Sequence, residues 1–363
     1  MFFFRIIGGM KIAIISDIHI SASLPWTQKV WEAFLSRVEA EAIPLVVIGG
    51  DLFESIDDAH ELRGWFSRTL EKTKISRVLW VAGNHDLTNP STGTQLYELS
   101  DMHFGEKVEV CLVPDLYVEE DVEILAYPFP LARTEEEGER FSPSRLLAHF
   151  PPPEKRRIAV VHAGLASWIP QMSEEAEVVP KAFAKMFQCE RVFMGHIHQR
   201  KEEGVYRTIG SARVWRKGEE GDHGYLVYDT EGHTERFEVL PEGRVFQEKE
   251  VFVFYDQVEE RGTQEFASHT WLHLDLYGVV QSDTQKEAIK ERFRKKYATL
   301  AELTFDEEGL FLSSTLANHP IWQVFLTKWQ KRYEMSVEEE KTIWLLAREM
   351  FVKEFLKQGG KKG

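Results

Sequence analysis

Cysteine is scarce in this chain, which has two cysteines among 363 residues. Cys111 and Cys189 each stand alone, with no second cysteine at the spacing that thiolate metal sites use. We therefore expect both to be small buried apolar residues of a protein in a reducing cytosol.

Positive charge is also in deficit, because 44 Lys and Arg residues stand against 59 Asp and Glu, a net charge of -15. A protein that coats nucleic acid non-specifically needs a positive surface, since it binds phosphate groups. The composition argues against a protein of that class. A nucleic-acid substrate would require a local basic groove or bound cations.

Long apolar runs are missing as well. The apolar start of the chain, residues 1–7, is too short for a membrane span or for the core of a signal peptide, and no later run reaches spanning length. We expect a soluble, cytoplasmic protein without membrane contact. Because Met10 directly precedes the first strand-like run, the first nine residues are expected to be an upstream extension outside the fold.

Short apolar runs alternate with helix-like segments in the first half of the chain. At 363 residues the chain exceeds the usual domain size of about 100–200, so we expect one large domain with an appendage. Buried strands are predicted at residues 12–15, 45–48, 78–81 and 158–161, and helices at 30–42 and 60–70. This alternation predicts an α/β domain whose ligands bind beyond the carboxyl ends of the strands.

Residue types that bind metal ions follow each of these strands. They are Asp17 and His19, Asp51, Asn84 with His85 and Asp86, His162, and, after a fifth apolar step at 192–194, His196 and His198. One Asp-x-His pair is common by chance, but five such strand ends, four of them beside a glycine, indicate a functional site. Residues two apart on a strand point to the same face, so each spaced pair should converge.

The ligand types narrow the choice of metal. Carboxylate, amide and imidazole groups without thiolate fit Mn, Fe or Zn better than Ca or Mg, which prefer oxygen. We expect two divalent ions, Mn²⁺ in first place, with Fe, Zn or Mg as alternatives. Glycine beside these ligands removes side chains where the backbone must turn sharply.

The five blocks resemble the calcineurin-like metallophosphoesterase superfamily, whose members carry D-x-H, G-D, G-N-H-D/E, a single H and G-H-x-H in this order. The resemblance covers about residues 11–230 and implies a four-layer α/β/β/α sandwich. It also implies hydrolysis of a phosphoester by a hydroxide that two metal ions activate.

The resemblance implies a role for each site residue. The first ion takes Asp17, His19 and His198, the second takes Asn84, His162 and His196, and Asp51 bridges the two. His85 matches a histidine that contacts the scissile phosphate and assists the leaving group, and Asp86 is expected to orient its ring. The alternative for His85 is that it is one more metal ligand.

Within the superfamily the chain most resembles the Mre11/SbcD-type DNA exonuclease branch. The features that carry this are the sequence Gly50-Asp51-Leu52-Phe53, the segments 206–211 and 221–227, and a strand-helix-strand pattern at 269–277, 284–297 and 300–305. The branch implies a nuclease domain at 10–258, a capping domain at 259–312 and a helical tail at 313–363. The implied function is a Mn-dependent phosphodiesterase or DNA nuclease in DNA end processing or repair.

Two features of the sequence bear on DNA binding, and the first is a departure from this branch. Glu54 stands where many members have a histidine near the DNA phosphate, which leaves the balance of exonuclease and endonuclease activity open. Basic residues cluster at 286–296 and 155–157. They are expected either to contact the DNA backbone or to form solvated faces balanced by acidic neighbours such as Glu287 and Glu291.

The tail contains two predicted amphipathic helices. The apolar face of the first carries Trp322, Phe325, Leu326, Trp329 and Tyr333, and the second begins after Ser336. These helices either pack on their own chain or, as the resemblance implies, bind a Rad50/SbcC-type ATPase. DNA is the other implied partner, and a homodimer stays open.

The competing functions of the protein are a small-molecule phosphodiesterase or phosphatase with the same metals, and a scaffold with a vestigial metal site.

Overall fold

The computed structural model of the protein describes residues 9–87, 98–129, 143–168, 178–255, 257–260, 265–316 and 327. The chain divides into two compact units, residues 1–245 and residues 246–363, and each is described by itself. Among the described residues, no helix is long and apolar enough to cross a membrane.

The first unit contains most of the strands of the chain. In chain order they are β1 (Lys11–Ile15), β2 (Leu45–Ile48), β3 (Arg77–Val81), β4 (Val108–Cys111), β5 (Asp115–Val118), β6 (Val122–Tyr127), β7 (Arg156–His162), β8 (Gly164–Leu165), β9 (Val178–Val179), β10 (Arg191–Gly195), β11 (Glu202–Glu203), β12 (Tyr206–Thr208), β13 (Gly224–Asp229) and β14 (Thr234–Val239). Its helices are α1 (Pro25–Ala40), α2 (Ile56–Glu71), α3 (Asn84–Leu87), α4 (Pro143–Leu146) and α5 (Phe183–Met186), with 3₁₀ turns at Glu98–Asp101 and Pro241–Gly243. The five predicted strands are all present.

These strands form two six-stranded sheets. The first has the order β14-β13-β1-β2-β3-β4, and the second has the order β11-β12-β10-β7-β6-β5. The pairs β1–β2, β2–β3 and β7–β10 are parallel. The carboxyl ends of the strands that carry the predicted site therefore lie at one edge of each sheet.

The packing of side chains shows the order of the layers. Ile15 packs on the helix side of the first sheet with Phe34 of α1. Ile14 points the other way because strand side chains alternate, and it packs between the sheets with Val160 of β7. The outer face of the second sheet packs on Phe183 of α5. The predicted four-layer α/β/β/α sandwich is confirmed.

The two long helices begin earlier than their apolar spacing predicts, and their first turns explain why. Pro25 opens α1, where a residue without an N–H group leaves no donor unpaired. Ser55 caps α2 by accepting a hydrogen bond from the backbone N–H of Asp58 at 3.2 Å. Neither Pro25 nor the capping Ser55 contributes to an apolar period, so the pattern alone misses the first turn.

Both cysteines are free and buried, as predicted. Burial raises the pKa of Cys111 and that of Cys189 to about 12. Neither thiol is therefore a thiolate near neutral pH.

The second unit is a four-stranded sheet with the order β16-β15-β17-β18. Its elements are β15 (Val245–Phe254), β16 (Gln257–Glu260), β17 (Thr270–Val280), α6 (Asp283–Lys296), β18 (Glu302–Leu312) and α7 (Ser313–Leu316). β17 and β18 are parallel and joined by α6, so the predicted strand-helix-strand pattern is present. The predicted boundary at 258/259 falls inside this sheet, because β15 pairs with β16.

The basic residues singled out in the sequence are largely paired with acidic neighbours. Lys286 and Lys290 of α6 lie 2.5 and 2.9 Å from carboxylate oxygens of Glu307. Arg157 in β7 is buried against Glu123 at 2.7 Å. These contacts favour balanced charges over a broad phosphate-binding face. The two predicted tail helices lie outside the described residues, apart from Thr327, which is helical.

Candidate metal centre

The residues predicted to form the site lie together beyond the ends of β1, β2, β3, β7 and β10. A cleft of about 640 Å³ opens at this point. Its lining includes the predicted residues Asp51, Asn84, His85, His196 and His198, together with residues 215–219. Asp17, His19 and His162 belong to the same cluster and are fully buried.

The first group of candidate ligands is Asp17, His19 and His198. The two imidazole Nε2 atoms lie 3.4 Å apart. His198 Nε2 is 3.6 Å from Asp17 Oδ1, and the three side chains offer ligand atoms within 4.8 Å of one another. One small cation would fit between these atoms.

The second group is centred on the side-chain oxygen of Asn84. His162 Nε2 and His196 Nδ1 each lie 3.1 Å from that oxygen. Asp51 Oδ2 lies between the groups, 3.4 Å from His162 Nε2 and 3.8 Å from His19 Nε2. The structure therefore brings all seven predicted ligands together, with Asp51 in the position that a bridging ligand needs.

Left-handed backbone turns, and not strand alternation, aim these ligands. Asp17, His19, Asp51 and His196 have φ angles of 51°, 49°, 50° and 74°. β1 ends at Ile15, so the expectation that Asp17 and His19 converge as neighbours on one face of a strand is wrong. Instead their N–H groups donate to the carbonyls of Gly50 and Asp51, each at 3.0 Å.

Two glycines make room for this arrangement. Gly50 has a φ of 105°, and a Cβ there would overlap the ring of His162. A Cβ on Gly83 would overlap the Asp51 carboxylate. Any larger residue at either position would displace a candidate ligand.

The surroundings of His162 show that the cluster favours a positive charge. Its Nδ1 lies 2.7 Å from the carbonyl oxygen of Gly49 and so donates a proton there. A neutral ring then turns the lone pair of Nε2 toward the oxygens of Asn84 and Asp51, which are also acceptors. Although burial lowers the pKa of His162, the Asp51 carboxylate raises it to about 10. A cation among these acceptors would remove the mismatch, so the donor set fits a divalent metal ion.

The surroundings of His196 and His19 lower the pKa of both rings. Burial, together with the nearby His162, lowers the pKa of His196 to about 4. Burial also lowers the pKa of His19. Both rings are therefore neutral near pH 7, which is the form that binds metal.

Sequence reasoning missed two residues that hold the ligands in place, Glu219 and Trp215. Glu219 accepts a hydrogen bond from His198 Nδ1 at 2.6 Å, so His198 Nε2 is left to face the first group. The indole of Trp215 stacks on His19, with ring centroids 4.9 Å apart and 19° between the planes. The backbone N–H group of Trp215 in turn donates to Glu219 Oε2 at 2.7 Å. Carboxylates that orient metal-binding histidines are a common second layer of metal sites.

Glu54, noted in the sequence as a departure, also belongs to this second layer. Its Oε2 accepts from the indole nitrogen of Trp215 at 2.8 Å. The same atom lies 3.4 Å from His19 Nδ1, which is long for a hydrogen bond, and His19 Nδ1 has no closer partner among the described residues. We therefore regard the Glu54–His19 contact as electrostatic.

His85 and Asp86 have different surroundings from those predicted. His85 Nδ1 lies 2.9 Å from the backbone carbonyl of Glu54, not from Asp86. Asp86 Oδ2 instead accepts from the backbone N–H groups of Asp51 and Gly83 and from the indole of Trp80. The predicted orientation of the His85 ring by Asp86 is corrected: Asp86 ties the loops after β2 and β3 together. His85 lines the cleft and is held by a different residue.

Comparison with solved structures finds similar folds at low identity. A purple acid phosphatase from yellow lupin has 14% identity and a TM-score of 0.44, and the match covers 65% of this chain and 52% of that one. This chain thus spans about half the length of the lupin protein. GAP50, the anchor in the inner membrane complex of Plasmodium, has 12% identity, a TM-score of 0.45 and coverages of 82% and 97%. A dimetal phosphatase from Danio rerio has 13% identity and a TM-score of 0.35, with coverages of 61% and 93%.

Comparison at the level of sequence gives the family. No curated protein matches the chain. Residues 10–200 match the calcineurin-like phosphoesterase family. That match takes in more than half of the chain and all five ligand-bearing strand ends, and on this basis the protein belongs to the calcineurin-like phosphoesterase family.

Proposed function

We propose that this phosphoesterase is a Mn²⁺-dependent phosphodiesterase and DNA nuclease of the Mre11/SbcD type, acting in DNA end processing or repair. The observation that carries the phosphodiesterase part is the convergence of seven candidate ligands at one cleft, with Asp51 between two groups. Two cations held there would polarise the phosphoryl oxygens and lower the pKa of a bound water.

Different residues of the chain would have different roles around such a centre. Asp51 fixes the two groups relative to each other, and Glu219 directs His198 toward the first group. The Glu54 carbonyl accepts from His85 Nδ1, which leaves His85 Nε2 as the atom of this ring available to the cleft. We assign to that atom the proton transfer to the departing alkoxide.

The DNA part of the proposal is supported by the sequence after the last ligand block and by the strand-helix-strand arrangement of the second unit. A second candidate, a small-molecule phosphodiesterase or phosphatase, is favoured by a different observation. The basic residues Lys286, Lys290 and Arg157 are paired with glutamates, so they do not add a broad positive surface to a chain of net charge -15.

Parallel assays separate these candidates. Metal-depleted protein would be supplied with Mn²⁺, Mg²⁺, Zn²⁺ or Fe²⁺ and offered duplex DNA, single-stranded DNA, bis-p-nitrophenyl phosphate and cyclic nucleotides. The proposal predicts DNA cleavage that is fastest with Mn²⁺. Turnover of cyclic nucleotides or monoesters without DNA cleavage would establish the second candidate instead.

We also propose that the tail, residues 313–363, binds a Rad50/SbcC-type ATPase. Support comes from its sequence, where large aromatic side chains recur at helical spacing after Pro320. A few such aromatic residues typically dominate the affinity of a helical interface.

A further inference from the structure

One wall of the cleft is a single short segment, residues 215–219, which we call the Trp215 loop. It lines the same cleft as Asp51 and His85. The loop reads Trp215-Arg216-Lys217-Gly218-Glu219 and lies outside the five ligand blocks.

Both ends of the Trp215 loop are tied to candidate metal ligands. Glu219 is 5% exposed and contacts His198 at 2.6 Å. Trp215 stacks on His19. The backbone N–H groups of Trp215 and Arg216 both donate to Glu219 Oε2, at 2.7 and 3.3 Å. The loop is therefore held in a fixed position beside the ligands.

The middle of the loop presents two cationic side chains. Arg216 and Lys217 are exposed and line the cleft. The side chain of Arg216 is 71% exposed, and its Nε lies 3.4 Å from Glu219 Oε1. Because that contact engages one edge of the guanidinium, other N–H groups of Arg216 remain for an anionic ligand.

The chain as a whole is acidic. A chain of net charge -15 repels polyanions, and a single scissile phosphate is already served by the candidate metal centre. Two adjacent cations that line the same cleft as Asp51 and His85 match a further anionic group on the substrate, beside the group that is hydrolysed.

We propose that Arg216 and Lys217 form a subsite for a second phosphate, so that the cleft prefers nucleotide substrates with a phosphate flanking the scissile one. This inference rests on the proposed phosphodiesterase function. It assigns substrate preference to the Trp215 loop.

A pair of esters that differ by one phosphate tests the preference. They are thymidine 5′-(p-nitrophenyl phosphate) and the same ester phosphorylated on its 3′-oxygen. The wild type should show a kcat/KM at least about tenfold higher for the second ester, and the double variant Arg216→Gln/Lys217→Gln should lose most of that ratio. The matched control is Lys72→Gln/Lys74→Gln, which removes two exposed cations near the far end of α2 and should keep the ratio.

A binding measurement tests the subsite without turnover. Anisotropy of a fluorescent single-stranded oligonucleotide in EDTA gives the slope of log K against log salt. Removing two phosphate contacts should reduce the magnitude of that slope by about 1.4, since each contact contributes about 0.7. Equal slopes and an unchanged ester ratio would overturn the inference even if both esters are hydrolysed. A reduced slope without hydrolysis of either ester would support the subsite and contradict the proposed function.

Discussion

Four of the seven candidate ligands have a strained backbone. Asp17, His19, Asp51 and His196 all occupy the left-handed region, which costs a non-glycine residue on the order of 1–3 kcal/mol. Asp and His tolerate this region better than bulky residues. At Asp17 and His19 the strained backbone is held in place by hydrogen bonds between the loops after β1 and β2. Stability is thus given up at these positions to aim ligands into one cleft.

His85 is the residue whose role can be separated from metal binding. Its backbone N–H donates to Asp51 Oδ1 at 2.8 Å, a contact that the variant His85→Ala keeps. We expect that variant to lose at least about a hundredfold in kcat, on the scale of general acid catalysis. Metal content, measured by elemental analysis, should not change. Loss of an ion would show instead that His85 is a ligand.

Glu219 gives a second prediction for a single residue. In Glu219→Gln one carboxylate oxygen becomes an NH₂ group, which must face either His198 Nδ1 or the Trp215 N–H, both donors in this structure. We expect the affinity for Mn²⁺ to fall about 10–100-fold, as measured by competition with a chelating dye. The neighbouring exposed Glu220 supplies the control, Glu220→Gln. Equal affinity in both variants would exclude a positioning role for Glu219.

Among the elements, the turn after β3 sets a tight steric limit beside the proposed bridging ligand. A Cβ at Gly83 would overlap the Asp51 carboxylate, so Gly83→Ala should lose bound metal and turnover while circular dichroism shows a folded protein. Gly64 of α2 is the control, because its Cβ would meet the flexible end of Arg68 at 3.2 Å. Gly64→Ala should keep activity and gain about 0.5–1 kcal/mol of stability. Full metal content in Gly83→Ala would contradict the close packing.

The sequence predicts the strands and helices and the types of ligand, but not the contacts that orient the ligands. The strands at 12–15, 45–48, 78–81 and 158–161 can be predicted because each is a short apolar run in the sequence itself. The left-handed turns at Asp17 and Asp51 depend on hydrogen bonds between segments that are distant in sequence. Glu219 lies 21 residues after its partner His198, with no spacing that identifies it. The sequence predicts Asp86 as a site residue but not its three donors, the backbone N–H groups of Asp51 and Gly83 and the indole of Trp80 in β3.

At the scale of the whole molecule, catalysis and partner binding are expected to separate along the chain. The candidate centre lies within the first unit, residues 1–245, whereas the proposed ATPase-binding tail begins at 313. We expect a protein ending near Leu312 to keep Mn²⁺-dependent activity on small phosphodiesters and to lose association with the ATPase in a pull-down with purified partner. An insoluble truncated protein would assign the tail to the core. Unchanged affinity for the ATPase would contradict the docking proposal.

The two-metal centre with Asp51 as its shared ligand is the central claim, and metal stoichiometry tests it most directly. Wild type, Asp51→Asn and Asn84→Ala would be loaded with Mn²⁺, desalted and measured by elemental analysis, with turnover recorded on the same samples. The wild type should hold about two ions per chain. Asp51→Asn should lose more metal than Asn84→Ala and should have no detectable hydrolysis, because Asp51 lies between both groups. Full Mn²⁺ occupancy with normal turnover in Asp51→Asn would contradict the account.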